Sequence, residues 1–468
     1  MKFSQNTQLE LQNQMIKSGN PSIELHAPCR INDGILQIPK IKQLHFIDLF
    51  STTKKAICFF VPASGSGSRM FQFLFDFLNS PNELNRSEVE RFLHAITEFA
   101  FFKQLPFELQ SQIENHEIDL ETFISYLLLE EGMGYGALPK GLIPFHHVEP
   151  FILTPFQEHI LQAMRLKLSN TKFHFTIQSK YVDSIKEGMN HISGLTGYPL
   201  NIDFSEQSIA SNAFVFTENG EALKEDNGDY ITRPAGHGAL LENLQSIDAD
   251  IVFVKNIDNV QHYKYAPEIE STWKLLGGLV LEVQSRLAQL NEHPNYDDLV
   301  ALNQEFQLYS PSEMEMCRTD LSFFKQLIHR PVRACGMVKN EGQPGGGPFW
   351  VNEHGKISKQ IVEKAQISML GEQYRLMVQS THFNPVIMAL GMKDFNGKAF
   401  DLNEFKDESK YFVVDKNHQG QKVKFVELPG LWNGSMAEWT TIFIEIPSSN
   451  FSPVKTVLDL LNYAHRAY

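Results

Sequence analysis

Lys140 stands between Pro139 and Gly141 in the stretch GMGYGALPKGLIPFH, with a second proline, Pro144, just beyond. A lysine on a stiff, glycine-flanked loop suits an ammonium aimed at a phosphate; an exposed loop lysine is the plainer alternative. Lys455, one residue past Pro453-Val454 in NFSPVKTVLDLL, opens the last helical pattern of the chain. A cation there opposes the helix dipole, and a bound anion would reverse that penalty. Asp258 ends the apolar run ADIVFVKNIDNV, at the expected carboxyl edge of a strand. A carboxylate so placed can hold Mg²⁺, which bridges phosphate oxygens, although an Asx-turn cap would need only one of these polar residues.

Two glycine turns accompany these charges. VPASGSGSRM lies between the apolar runs AICFF and FQFLFDFL, an order that reads as strand, turn and helix. A Walker loop is excluded because Arg69 follows Ser68 and no Gly-Lys pair occurs, and a Rossmann fingerprint because its third glycine place is Met70. What remains is a Gly65-x-Gly67 turn among Ala63, Ser64, Ser66 and Ser68, whose N–H groups can crowd an anion with Arg69 as a clamp. A plain strand-to-helix turn rich in small residues is the alternative. In ITRPAGHGALLENL, Gly236, His237 and Gly238 precede a short helix. Positions without side chains let backbone approach a flat base or ribose, while the histidine alone is ambiguous. Two lysines, an arginine, a carboxylate and two glycine turns suit phosphoryl or nucleotidyl transfer, where a protein chiefly positions and neutralises phosphates. No serine, cysteine or histidine arrangement for a covalent intermediate is evident.

The elements that must position these residues follow from periodicity. LELQNQMIKSG reads as a helix closed by Gly19, and IKQLHFIDLF as a short amphipathic piece. From Met70 to Ala137 the pattern is mostly helical, with Ser87 and Glu90 as a capping box for SEVERFLHAITEFAFFKQL. FHFTIQ, AFVFT, ADIVFV, KYFVV and KVKFVEL read as strands; TPFQEHILQAMRL, YVDSIKEGMNHIS and STWKLLGGLVLEVQSRLAQL read as helices. A turn-rich span then runs through Gly347, and SPVKTVLDLLNYAHRA closes the chain as a helix. Strands alternating with helices argue an α/β sheet with sites at the strand ends.

The chain has 468 residues, a net charge of −14 and four cysteines without a C-x-x-C pair. The acidic balance without a basic stripe argues against nucleic acid, and the dispersed thiols against a disulfide framework or zinc site. A polar N-terminus and the lack of long apolar runs predict a cytoplasmic protein with no membrane partner. Oligomeric state is not readable.

Taken in order, these pieces resemble the UDP-sugar pyrophosphorylases, most closely the UDP-glucose pyrophosphorylase type. PASGSGSRM resembles the family's nucleotide loop, LPKGLIPF its proline-lysine segment, and RPAGHGALLENL its Pro-Gly-His-Gly turn. IVFVKNIDNV looks like its strand ending in Asn-Ile-Asp-Asn, and FSPVKTVLDLL like its late Pro-Val-Lys-Thr segment; IVEKAQIS and THFNPVIMAL are similar to two further stretches. The resemblance covers about residues 56 to 461 and implies a three-layer, GT-A/Rossmann-like α/β nucleotidyltransferase fold with a mixed sheet and a helical insertion. It implies a reaction in which a sugar 1-phosphate attacks a nucleoside triphosphate, UTP by resemblance, and pyrophosphate leaves. By the same resemblance Ala63, Ser64, Gly65, Gly67 and Arg69 would hold the triphosphate, and Lys140 and Lys455 would neutralise its phosphates. Gln207, Gly236, His237 and Gly238 would meet the nucleoside, Asn384 the sugar, and Asp258 Mg²⁺.

This chain departs from the family pattern. Ala63-Ser64 replaces a glycine pair, and Lys140 is separated from Arg69 by the stretch 71–137. The expected organisation is a helical segment 1–50 and a catalytic domain 51–468, with 71–137 inserted and 420–468 returning to the active site. RACGMVKNEGQPGGGPFWV matches nothing well; its glycines suggest a mobile sugar-side loop with Trp350 as a stacking surface. A nucleotide-binding protein without catalysis, and a transferase for another nucleotide or alcohol, are the competing readings.

Overall fold

The apolar run after Lys55 forms the strand Ile57–Pro62, buried over all but its last residue. In this computed structural model the described residues are 5–168, 171–208, 211–233, 236–342, 345–353, 355–418 and 421–467. Within that strand the chain passes from one compact unit to another. The first unit comprises Met1–Cys58, Gln207–Val254 and Lys274–Ile446; the second comprises Phe59–Glu206, Lys255–Trp273 and Pro447–Tyr468.

In the first unit a mixed sheet runs in the order Arg30–Ile31, Gly34–Leu36, Thr440–Glu445, Val332–Lys339, Met388–Gly391, Ile251–Val254. The first three joins are parallel and the last two antiparallel. Ile251–Val254 and Met388–Gly391 are buried at every residue, as expected of interior strands covered on both faces. Glu24–Pro28, Gly347–Glu353 and Lys356–Val362 make a separate three-stranded sheet, and Phe216–Thr217, Gln421–Glu427 and Phe412–His418 another. The helix Lys40–Ser51 packs on a glycine pair in the long helix Ala266–Glu292: a Cβ at Gly278 would stand 2.0 Å from the Phe46 carbonyl oxygen. Only glycine permits that approach.

The span expected to be turn-rich is instead the helices Tyr296–Phe306, Pro311–Thr319 and Leu321–Ile328. Each begins at a side-chain cap, Asn295, Ser310 or Asp320, and Ser310 with Glu313 completes a capping box under Pro311. The segment expected to be a mobile loop holds two strands, Val332–Lys339 and Gly347–Glu353; residues 343–344 between them lie outside the described residues. Trp350 sits inside the second strand, and its indole N–H donates to Asp33 Oδ1 at 3.1 Å.

In the second unit, Thr171–Thr176 and Asn201–Ser205 pair in parallel across the helix Val182–Thr196, a strand–helix–strand crossover. The stretch after Met70 folds into Gln72–Asn79, Glu83–His94, Phe107–Glu114 and Leu120–Leu128 around a phenylalanine-rich core. Phe71, Phe92, Phe101 and Phe123 are fully buried there, and Val454, Val457, Leu458 and Leu460 of the C-terminal segment share the same core. The cap of Glu83–His94 is Asn82, whose Oδ1 accepts from Leu84 and Asn85 N–H, so Ser87 lies inside the helix rather than at its start. The expected terminal helix is two 3-10 turns, Val457–Leu461 and Tyr463–His465. A short segment pinned at Asp459 by its cap and at Arg466 by Glu98 follows tertiary contacts over helix propensity. Among the described residues no helix is long and apolar enough to cross a membrane.

Candidate active site

The turn after Ile57–Pro62 is tied to the loop that carries Lys140. Gly67 N–H donates to the Leu138 carbonyl at 2.8 Å, and Ser66 bridges to Pro139. A Cβ on Gly67 would come within 2.6 Å of Ile143 Cδ1 and 2.9 Å of Leu138 O, so this glycine is required by the packing of one loop on the other. Gly141 similarly admits the Phe156 ring, 2.4 Å from where its Cβ would be. Lys140 begins a 3-10 turn between these two close approaches.

Asp258 and Lys455 are brought together by backbone lacing. Val454 N–H donates to Asp258 O at 3.0 Å, Ser452 N–H to Asn259 Oδ1 at 3.0 Å, and Gln261 Nε2 to the Ser449 and Asn450 carbonyls at 3.2 and 2.9 Å. Asp459 Oδ2 then accepts from Lys455 and Thr456 N–H at 2.8 and 2.7 Å, setting the lysine at the start of its turn.

The result is a three-residue cluster. Lys140 Nζ and Lys455 Nζ each lie 3.1 Å from the same oxygen, Asp258 Oδ2, and Lys140 also donates to Val454 O at 2.8 Å. The Lys140 and Asp258 side chains are each 12% exposed, whereas Lys455 is 57% exposed. Burial pushes the Asp258 carboxyl upward, but the two ammonium groups outweigh it and hold the pKa below the ordinary value. Two ammonium groups share one carboxylate oxygen, so each keeps donor capacity for a further anion.

The glycine turn offers one open and one filled position. Nothing lies within 4 Å of a Cβ built on Gly65, so that side of the turn is open, while its carbonyl accepts from Lys140 N–H at 3.3 Å. Ala63 is buried and its N–H donates to Thr176 O; Ser64 O accepts from Gln178 Nε2 at 3.1 Å. Arg69 is exposed in the turn Gly67–Phe71 and makes no ion pair among the described residues.

The remaining candidates belong to the first unit. Gln207 is half-buried at the start of a segment of that unit. His237 stacks on Trp432 with ring centres 4.0 Å apart and planes 7° from parallel, and its Nδ1 accepts from Leu431 N–H at 2.9 Å. Burial pushes its pKa down to about 4, which keeps Nδ1 available as an acceptor. Gly236 has φ +57°, and a Cβ on Gly238 would stand 2.6 Å from Pro429 O. The absence of side chains there is explained by packing on the 427–430 segment. Asn384 is buried, with Nδ2 donating to Gly336 O at 2.9 Å and Oδ1 accepting from Val386 N–H at 3.1 Å. That clamp holds Val386 at φ +58°, a conformation β-branched residues rarely adopt.

Sequence reasoning passed over the loop PGLWNGS, 429–435, that supplies Trp432. It also passed over Glu363 and Glu427, whose carboxyls burial pushes above their ordinary range. The Pro-Gly and Asn-Gly pairs flanking a tryptophan were the available signal. Lys255 was missed for the opposite reason, since it sits inside an apolar strand pattern; burial pushes its pKa down to about 7.

Among the described residues no cluster of three His, Cys, Asp or Glu could hold a metal. Asp258 is a single carboxylate facing two ammonium groups. That fits Mg²⁺ only where substrate phosphates complete the shell, since Mg²⁺ is commonly held by one or two carboxylates plus phosphate oxygens and water.

Among solved structures, the chain is similar to uridine diphosphate N-acetylglucosamine pyrophosphorylase from Trypanosoma brucei, at TM-score 0.50 and 13% identity, over 97% of this chain and 74% of that one. A protein provisionally described as a UDP-N-acetylglucosamine pyrophosphorylase from Entamoeba histolytica gives TM-score 0.44 at 14% identity, over 91% and 82%. A UDP-glucose phosphorylase from Trypanosoma brucei gives 0.41 at 11%, over 94% and 69%. The first likeness shows a nucleotidyltransferase fold; at lower TM-scores the other two add nothing to that assignment. No curated protein matches the chain. A family model described as a domain of unknown function, DUF4301, matches residues 2–466, and the chain belongs to that family.

Proposed function

We propose that this chain is a sugar-1-phosphate nucleotidyltransferase that makes a nucleotide sugar, with UTP as the favoured nucleotide, and releases pyrophosphate. The observation that carries the reading is the convergence of Lys140 and Lys455 on Asp258 Oδ2, in the same unit as the open glycine turn at Gly65. The pyrophosphorylase among the structural neighbours supports the reaction class by fold alone.

In this reading a phosphate oxygen of the sugar 1-phosphate attacks the α-phosphorus of the triphosphate. A new P–O bond forms, the bond from the α-phosphorus to the bridging oxygen breaks, and pyrophosphate leaves with the electron pair. The attacking oxygen is already anionic, so no general base is required. Lys140 and Lys455 exchange Asp258 for phosphate oxygens and offset charge as it builds. Gly65 N–H and Arg69 hold the triphosphate chain, with Ala63, Ser64 and Gly67 shaping the turn. Asp258, freed from the lysines, would hold Mg²⁺, which supplies Lewis-acid neutralisation of the phosphates. Gln207, Gly236, His237 and Gly238 are assigned to the nucleoside and Asn384 to the sugar side by resemblance. The four cysteines are buried and form no disulfide among the described residues; we assign a cytoplasmic setting.

Pyrophosphate release over four nucleoside triphosphates and a panel of sugar 1-phosphates, with Mg²⁺, tests this directly, with Asp258→Asn alongside. Release that requires one nucleotide and one sugar phosphate, and is lost in the variant, is the expected result. Silence from folded protein that nucleotides still stabilise would instead support a binding protein.

A further inference from the structure

His146, Glu158 and His465 form a buried chain that the phosphate site does not use. They come from the strand His146–Val148, the helix Pro155–Met164 and the turn Tyr463–His465, all in the second unit. His146 Nδ1 is 2.7 Å from Glu158 Oε1, and His146 Nε2 is 2.9 Å from His465 Nδ1. The His146 and Glu158 side chains have no exposed surface. Beyond them, the His465 ring faces the backbone of Ser452. Ser452 precedes Pro453-Val454-Lys455, and the Val454 carbonyl receives Lys140 Nζ. The chain therefore runs from a core helix to the backbone that sets Lys455.

Two proton arrangements satisfy both bonds with neutral imidazoles. With Glu158 protonated, its O–H donates to His146 Nδ1, His146 Nε2–H donates to His465 Nδ1, and His465 keeps Nε2–H for the Ser452 carbonyl. With Glu158 ionised, both rings carry the proton on Nδ1, both bonds reverse, and His465 has no N–H left for Ser452. The two states differ by one proton, taken up or lost at His465 Nε2.

We propose that Glu158, His146 and His465 are positioning residues whose shared proton fixes the Ser452 backbone and so holds Lys455 in place for the phosphates. The proposal rests on the reading of Lys455 as a phosphate ligand. Burial supports the protonated arrangement: it pushes Glu158 up to about 8, His465 down to about 3 and His146 well below the ordinary histidine value. The groups facing the chain are Lys255, His262 and the Tyr263 backbone around Glu158, and His262 and Asp459 around the histidines. Burial also drives Lys255 toward its neutral form, which weakens the pull its ammonium exerts toward an ionised Glu158.

The test uses the full chain labelled with ¹⁵N at histidine and serine, as wild type and as Glu158→Gln, titrated from roughly pH 6 to 10. In wild type, His146 and His465 should pass together from Nε2–H to Nδ1–H, with the Ser452 amide resonance moving at the same midpoint near 8. Glu158→Gln donates permanently through its amide and should lock the Nε2–H forms. In pyrophosphate release, kcat of wild type should fall with that midpoint and the fall should vanish in Glu158→Gln; His465→Phe should lower kcat by about tenfold with little change in KM. Tautomers that ignore Glu158, a Ser452 amide that does not follow them, or an unchanged alkaline fall in Glu158→Gln would overturn the proposal. Should wild type release no pyrophosphate with any substrate pair, the proposed function fails, and the tautomer and amide titrations alone decide the relay.

Discussion

Lys455 Nζ lies 3.1 Å from Asp258 Oδ2, the same oxygen that Lys140 Nζ meets at 3.1 Å. The two ammonium groups are held differently. Lys140 is 12% exposed and makes a second bond to Val454 O, while Lys455 is 57% exposed and its ammonium bonds Asp258 alone among the described residues.

That difference separates the effects of removing each lysine. Lys140→Ala and Lys455→Ala should each lower turnover by about 10²-fold, as expected for loss of a preorganised charge. Only Lys140→Ala should also lower the melting temperature, because it removes a largely buried ion pair and a backbone bond. Steady-state kinetics beside thermal melts distinguish the two; near-wild-type rates in both variants would remove the assignment.

Asp258 predicts an acid limb of stability. Its folded pKa is below its ordinary value of 3.8, so its contribution is complete above the unfolded pKa and is lost as pH falls through the folded one. In Asp258→Asn that part of the acid destabilisation should disappear, while the melting temperature at neutral pH falls because two ammonium groups lose their partner. Melts across the acid range read both.

Gly65 and Gly67 should respond in opposite ways to alanine. Gly67→Ala meets Ile143 Cδ1 and Leu138 O and should destabilise by about 1–3 kcal/mol, as overpacking does. Gly65→Ala meets nothing within 4 Å and should stay within about 0.5 kcal/mol of wild type. Its effect should fall on nucleoside triphosphate affinity, since under the proposed function the methyl group would stand where the phosphates approach. Urea melts and nucleotide titrations check the pair.

His237 predicts a second pH effect. Its pKa is depressed from 6.5 to about 4, so its contribution to stability is present above the unfolded value and is lost as pH falls through about 4. Trp432→Ala opens the stacked ring to water, so the histidine should titrate closer to its ordinary value and raise KM for the nucleotide. Imidazole proton shifts followed through the acid range test the first point and steady-state kinetics the second. A histidine that still titrates near 4 in the variant would show that the stacked ring is not what keeps water away.

The legible part of this chain was whatever depends on local chemistry. Strand periodicity in ADIVFV, the capped helix after Thr154, and glycine or proline beside Lys140 each state a local backbone preference that the fold obeys. The candidate charges each drew attention alone: Lys140 and Lys455 stood at odds with their local settings, and Asp258 stood at the expected carboxyl end of a strand. What sequence could not state was that they share one oxygen, since the bonds that unite them run between segments far apart in the chain. The same reason hid the Glu158–His146–His465 chain, whose members look like ordinary core residues until burial removes water from all three. Propensity also misled where tertiary contacts dominate: the closing segment became 3-10 turns because its apolar residues and Arg466 are pinned by distant partners. The supposed loop around Gly336 became a strand because its register is set by Thr440–Glu445. Sequence thus decided the elements with a strong local pattern and which residues were unusual; the tertiary structure alone decided which of them meet, because hydrogen bonds and desolvation act across space and not along the chain.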